Sequence, residues 1–246
     1  MTTSAAPPMI LEVDDISKSF GRLRVADSIS FAVAEGEALG IVGPNGAGKT
    51  TLFSLIAGAL RPDRGRVRLL GRDITDVSPQ ARCAAGIART HQIPRPFDRL
   101  TVFENVLVGA CFATPRSEKA AAELCGAILE RTGLLAYANK LAGALPLLDR
   151  KRLELARALA TRPRILLLDE IAGGLTESEC AALIEMIRAI GASGVSILWI
   201  EHIVHALLAV VTRLVVLNFG QVVAEGEPRA VMASRAVREI YLGALE

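Results

Sequence analysis

Aromatic residues make up only 4% of this 246-residue chain, so it has no supply of flat side chains for a base-stacking platform. Charge of one sign is also missing. Lys and Arg total 28 against 26 Asp and Glu, a formal net charge of +2, which gives no general pull towards a polyanion, and no nucleic acid partner is expected. The four cysteines, Cys83, Cys111, Cys125 and Cys180, form no C-x-x-C pair. That spacing argues against a metal site or a disulfide framework and reads as buried thiols in a reducing compartment. No apolar run approaches the roughly 20 residues of a membrane-spanning helix: the most apolar stretch, 203–211, is shorter and contains His205. Residues 1–8 lack the basic-then-apolar order of a secretory signal and read as a flexible tail. Internal repeats and low-complexity tracts are absent too.

What is abundant is aliphatic. Hydrophobic residues reach 51%, a composition suited to a core of Leu, Val, Ile and Ala. Residues 11–20 and 28–33 alternate apolar with polar side chains and are bounded by Gly21-Arg22 and Glu35-Gly36, which predicts half-exposed antiparallel strands. By contrast 38–42, 165–168 and 195–200 are nearly unbroken apolar runs, the pattern of parallel strands covered on both faces. Helical periodicity is predicted over 49–60, 117–132, 149–160 and 177–192, and a hairpin at Asn218-Phe219-Gly220. The alternation of strands and helices predicts an α/β fold. Residues 94–161, without a buried-strand pattern, are expected to form an inserted, mainly helical subdomain, and 226–246 a C-terminal tail of the domain that begins at residue 9.

The segment Gly43-Pro44-Asn45-Gly46-Ala47-Gly48-Lys49-Thr50 matches G-x-x-x-x-G-K-[ST] in full, after the apolar run 38–42 and before a helical pattern. Its glycines permit backbone geometries that let successive N–H groups converge on phosphate oxygens, and the following helix adds its positive end. Lys49 is expected at the β- and γ-phosphates of ATP, Thr50 at Mg²⁺, and Thr51 at the α-phosphate. Downstream, Ile165-Leu166-Leu167-Leu168-Asp169-Glu170 is a buried strand ending in two carboxylates. Asp169 is expected to hold Mg²⁺. Glu170 is then the candidate general base, since the magnesium carboxylate is already engaged. The fold expected is a P-loop NTPase, a RecA-like parallel sheet with an N-terminal antiparallel β subdomain and the inserted helical one.

From about residue 11 to residue 243 the arrangement resembles the ATPase subunits of ABC transporters, and within them the subgroup energising branched-chain amino acid uptake. The subgroup cues are Gly86-Ile87-Ala88-Arg89-Thr90-His91-Gln92, Leu100-Thr101-Val102-Phe103-Glu104-Asn105-Val106 and the ending Tyr241-Leu242-Gly243. The resemblance implies that Phe20 stacks on adenine, that Gln92 lies near Mg²⁺ and the attacking water, and that His202 touches the γ-phosphate. Phe20 also reads as a core residue of its strand, and His202 as a structural histidine; His91 and His205 carry no motif. The segment 93–99 is implied to receive a permease, with an ordinary solvated loop as the plain reading.

Two segments depart from that family. Its signature, usually Leu-Ser-Gly-Gly-Gln, falls on Leu145-Pro146-Leu147-Leu148-Asp149, and only the leucine matches. In the family this segment reaches across a dimer to the γ-phosphate held by the other subunit. Pro146 offers neither hydroxyl nor N–H, Leu147 and Leu148 crowd the approach, and Asp149 either brings a carboxylate towards a polyanion or caps the following helix. After Glu170, Ile171-Ala172-Gly173-Gly174-Leu175-Thr176 lacks the usual proline and replaces the usual Asp or Asn with Thr176. The expectation is therefore an ATP-hydrolysing subunit of an ABC importer, peripheral on the inner face of the cell membrane. Its implied partners are transmembrane permease subunits, a substrate-binding protein indirectly, and a second ATPase subunit as a heterodimer, with a homodimer as the other possibility. The competing readings are a weakly hydrolysing regulatory module and a soluble ABC ATPase acting outside transport.

Overall fold

The computed structural model describes residues 7–113 and 117–242; the expected flexible tail therefore lies outside the described residues up to residue 6, as does Gly243. Strand β1 (Met9–Phe20) pairs antiparallel with β2 (Leu23–Ala34) through the two-residue turn Gly21-Arg22. β3 (Ala38–Val42) leads into α1 (Lys49–Ile56). α1 stops four residues short of the helix read from periodicity. Gly58, in the left-handed region at φ 82°, follows its end, and the fully buried Arg82 donates 2.7 Å hydrogen bonds to the carbonyls of Leu55 and Ile56. Two strands that the apolar pattern did not announce follow, β4 (Arg64–Leu69) and β5 (Arg72–Asp73). β4 pairs antiparallel with β1, its Arg64, Arg66 and Arg68 alternating with the buried Val67 and Leu69 on the core side.

After α2 (Pro79–Ala85) and the short β6 (Ile87–Arg89), the chain runs through α3 (Val102–Ala113), α4 (Glu118–Arg131) and α5 (Leu147–Ala160) without entering either sheet. A T-x-x-E capping box opens α3: Thr101 N–H donates to Glu104 Oε2 at 2.7 Å and Glu104 N–H to Thr101 Oγ1 at 3.2 Å. β7 (Ile165–Asp169), α6 (Glu177–Ala192), β8 (Ser196–Ile200), α7 (Val204–Leu208), β9 (Arg213–Asn218) and β10 (Gln221–Gly226) complete the core. The hairpin between β9 and β10 turns on Phe219 and Gly220, both at positive φ. α8 (Pro228–Ala233) and α9 (Arg235–Leu242) fold back, burying Val231 and Val237.

The strands form a four-stranded antiparallel sheet, β2-β1-β4-β5, and a six-stranded sheet, β10-β9-β3-β8-β7-β6, parallel except at the β10 edge. The apolar runs are explained by burial on both faces. Leu166, Leu168, Ile197 and Trp199 join the cluster under α3–α6, while Ile165, Leu167, Leu198 and Ile200 join the cluster shared with α1 and the antiparallel sheet. Each fully buried Leu or Ile there contributes about 1.5–3 kcal/mol. Cys125 and Cys180 are buried as expected, but Cys83 on α2 is only half-buried and Cys111 is exposed, on the side of α3 away from the helical core.

Candidate functional site

Four adjacent parallel strands, β3, β8, β7 and β6, end at one edge of the sheet, and each hands a polar segment to the same place. This is where ligands of open α/β sheets bind. From β3 comes the loop of residues 43–50. Two of its glycines are required by close approach: a Cβ on Gly43 would lie 2.1 Å from the Leu217 carbonyl oxygen, and one on Gly48 would lie 2.3 Å from that of Val25. Gly48 also needs φ 95° to start α1. No side chain caps α1 and its first turn has no acid, so the N–H groups of Lys49, Thr50 and Thr51 face the loop cavity with the positive end of the helix.

The buried Lys49 folds back onto this loop, donating from Nζ to the carbonyls of Gly43 at 2.7 Å and Pro44 at 2.9 Å. Burial pushes its ammonium below its ordinary pKa, and the carboxylates of Glu170 and Asp169 act against that. The cavity is lined by Asn45, Gly46, Ala47, Gly48, Thr50 and Thr51, together with Val25 and Glu170. Val25 was missed in the sequence because an isolated Val on an alternating strand has no local mark. Phe20, at the end of β1, is 49% exposed with the Lys18 ammonium 5.8 Å from its ring, so it is not the core residue that its strand position also suggested.

From β7 come Asp169 and Glu170. Glu170 adopts a left-handed backbone, φ 46°, an uncommon conformation for a side chain with a Cβ. Its N–H donates to the Ile200 carbonyl at 2.9 Å, which turns the side chain out of the strand. There Glu170 Oε1 lies 2.6 Å from His202 Nε2, and Oε2 accepts from Gln92 Nε2 at 2.5 Å. Gln92 follows β6 and His202 follows β8, so three residues far apart in the chain converge on one carboxylate. Glu201, unmarked in the sequence, is buried beside them. Its Oε2 accepts from Ala172 N–H at 3.0 Å, and its Oε1 from His202 N–H at 3.0 Å, bracing the segments after β7 and β8 together.

Asp169 is 2% exposed, with Oδ2 held by Arg89 Nη2 at 2.7 Å. Its Oδ1 is buried with no hydrogen-bond partner among the described residues. A buried, unpartnered carboxylate oxygen is costly unless a cation or donor meets it, so Asp169 fits a divalent metal brought with a nucleotide. Thr50, an exposed residue, carries its hydroxyl on the neighbouring helix α1.

The segment of residues 145–149, outside the lining of this cavity, is built differently. α5 starts at Leu147, two residues before the expected start, with Pro146 as its N-cap residue and no side-chain cap. Asp149 therefore does not cap the helix. It is the third residue of the first turn, buried, with Oδ1 3.1 Å from Arg152 Nη1. Arg150 closes the preceding turn by donating to the carbonyls of Leu145 at 2.9 Å and Gly143 at 2.6 Å. Leu147 is 43% exposed and its side chain lies 3.3 Å from where a Cβ on Gly174 would be, so both altered segments meet. Thr176 is the N-cap of α6 in a capping box with Glu179, a role Asp or Asn fills equally well.

The ABC transporter family profile matches residues 26–173. A high-affinity branched-chain amino acid transport ATP-binding protein, BraF of Pseudomonas aeruginosa, is 36% identical, the match covering 95% of this chain and 98% of the relative. The LivG protein of the same description from Salmonella typhimurium is 34% identical over the same shares. The lipopolysaccharide export system ATP-binding protein LptB of Acidithiobacillus ferridurans is 35% identical, covering 95% and 97%. Among solved structures, a nucleotide-free ATP-binding cassette from an ABC transporter superposes with a TM-score of 0.87 at 33% identity, covering 95% of this chain and 98% of that one. Another cassette in its ADP conformation gives 0.88 at 33% identity, covering 96% and 99%.

Proposed function

Because this chain belongs to the ABC transporter family of ATP-binding cassettes and is an ATP hydrolase, we infer that it energises an importer of branched-chain amino acids or related small solutes, paired with a non-identical second ATPase subunit. The observation that carries the ATPase reading is the convergence of Gln92 and His202 on Glu170, beside the unpartnered Oδ1 of Asp169. Phosphoryl transfer asks a protein for positioning and for charge placed where negative charge develops. The loop N–H groups of residues 46–51 bind the phosphates. Lys49 exchanges its two carbonyl partners for β- and γ-phosphate oxygens, and Phe20 stacks on the base. Thr50 and Asp169 would hold magnesium with Gln92 alongside, and the ion would neutralise part of the phosphate charge. Glu170, held by two side chains, orients a water and takes its proton, and His202 donates to the γ-phosphate.

The reading of an unequal dimer comes from the altered segments. Pro146, Leu147 and Leu148 present apolar surface where a partner's γ-phosphate would seek donors, while the residues that serve this chain's own nucleotide are complete. A second subunit with an intact signature then completes the site at Lys49 and Glu170. No helix among the described residues is long and apolar enough to cross a membrane. Attachment to the inner face of the cell membrane then runs through permease subunits. They are received by the exposed Ile93 and Phe97 and by the adjoining groove of ≈ 480 Å³ between Pro79, Cys83, Arg95, Val108 and Arg157.

Phosphate release measured for the purified chain, alone and with a co-expressed second ATPase subunit, tests the pairing; full turnover by the chain alone refutes it. Uptake of labelled leucine, or of an amide, urea or a small aromatic acid in its place, by vesicles carrying the assembled permease tests the cargo; vesicles that take up none of these on ATP hydrolysis refute it.

A further inference from the structure

The cation carboxylate is not held by any residue assigned so far. Arg89, the last residue of β6, lies one strand away from Asp169, and its side chain is 14% exposed. Its guanidinium divides between two elements. Nη2 meets Asp169 Oδ2 at 2.7 Å, and Nη1 donates to Ser54 Oγ on α1 at 3.1 Å. Ser54 Oγ in turn donates to the Thr50 carbonyl at 2.8 Å. Phe53 closes the underside, its ring centroid 5.8 Å from Arg89 Cζ. The chain of contacts therefore runs from Asp169 to Thr50, the two residues read above as holding magnesium.

We propose that Arg89 is a positioning residue for the cation site, clamping Asp169 Oδ2 so that Oδ1 faces the nucleotide-bound metal and fixing that carboxylate relative to Thr50. The inference rests on the metal reading of Asp169. A planar guanidinium suits the task because it presents diverging donors in a fixed fork; an ammonium is a single point of contact. A carboxylate with one oxygen held has its second oxygen's direction set as well, and partners of this kind change metal affinity by about 10- to 100-fold when removed. The plainer reading, a buried ion pair that only neutralises Asp169, predicts the opposite sign. Removing the arginine's positive charge would then leave magnesium more strongly attracted.

The test is magnesium titration of a fluorescent ATP analogue bound to the full purified chain, read by anisotropy. Arg89→Ala is expected to raise the magnesium midpoint about tenfold or more, while affinity without magnesium stays unchanged. Arg89→Lys should recover part of the loss, and Ser54→Ala should move the midpoint the same way by less. If Arg89→Ala fails to fold, Arg89→Lys and Ser54→Ala carry the test. A midpoint unmoved or lowered in the folded variants overturns the proposal. Asp169→Asn separates the two layers: if it too leaves the magnesium dependence unmoved, the metal reading of Asp169 is what has failed.

Discussion

Two surfaces of this molecule differ in how their polar groups are used. At the edge formed by β3, β8, β7 and β6, Lys49 is held by backbone carbonyls, Gln92 and His202 by Glu170, and Asp169 by Arg89. At the start of α5 the exposed side chains are Pro146 and Leu147, and the nearby charged residues are turned inward: Asp149 to Arg152, Arg150 to the carbonyls of Gly143 and Leu145. On the proposed reading the first surface binds and cleaves its own nucleotide, while the second, finished as a helix terminus, offers little to a neighbour's. Holding a nucleotide and completing a partner's site would then be separable properties of one chain, set by different residues.

The largest break in that comparison should come from Glu170→Gln. Gln keeps the shape and one accepting oxygen but cannot take the water's proton, so phosphate release should fall by about 10²–10⁴-fold with ATP binding retained. Undiminished release would mean that another group is the base. Lys49→Ala removes charge-assisted contacts to the phosphates, a net loss of about 1.5–3 kcal/mol once its exchange from the loop carbonyls is allowed for, and isothermal titration should show nucleotide affinity falling about 10- to 100-fold. To sharpen the other side, Pro146→Ser with Leu147→Gly and Leu148→Gly restores donors and an open approach. Turnover by the chain alone should then rise about tenfold or more, because one donor to developing charge is worth at least that. No rise would show that the second surface is not what limits the unpartnered chain.

The smallest effect concerns the cap between the two surfaces. Thr176→Ala should cost about 1 kcal/mol in urea unfolding. Glu179, hydrogen-bonded by the Thr176 N–H and hydroxyl, is held below the usual glutamate pKa. Its contribution is therefore present above the ordinary glutamate value and lost as pH falls through the lowered folded value. The gap in melting temperature between the native chain and Glu179→Gln should be open at neutral pH and close on acidification through that window; a gap constant with pH would show that the carboxylate's charge does not contribute.

Legibility followed the range of the interaction. The buried strands β3, β7 and β8 announce themselves because burial on both faces leaves no polar position. α6 is readable from end to end because Thr176 and Glu179 spell a capping box at its start and the apolar periodicity runs on to Ala192. β4 is hidden by arginines at alternate positions, which its solvent face accepts. The end of α1 depends on Arg82, 26 and 27 residues from the carbonyls it caps, and no local pattern foretells that. Thr101 and Glu104 carried a helix start that a search for capping boxes would have found. Glu201 and Arg89 look like surface charges in the sequence; only their burial and their partners give them a role.

Sequence alone determined the phosphate loop, since glycine spacing, the apolar strand before it and the helix after it are local consequences of sterics and periodicity. It also determined that the signature segment lacks hydroxyl and glycine, which no fold can supply. Tertiary structure decided that Gln92 meets Glu170 across 78 residues, that His202 takes its other oxygen, and that Arg89 rather than solvent holds Asp169. Those encounters follow from the strand order β3-β8-β7-β6, which is fixed by how the whole hydrophobic core closes and is written in no single stretch of the chain.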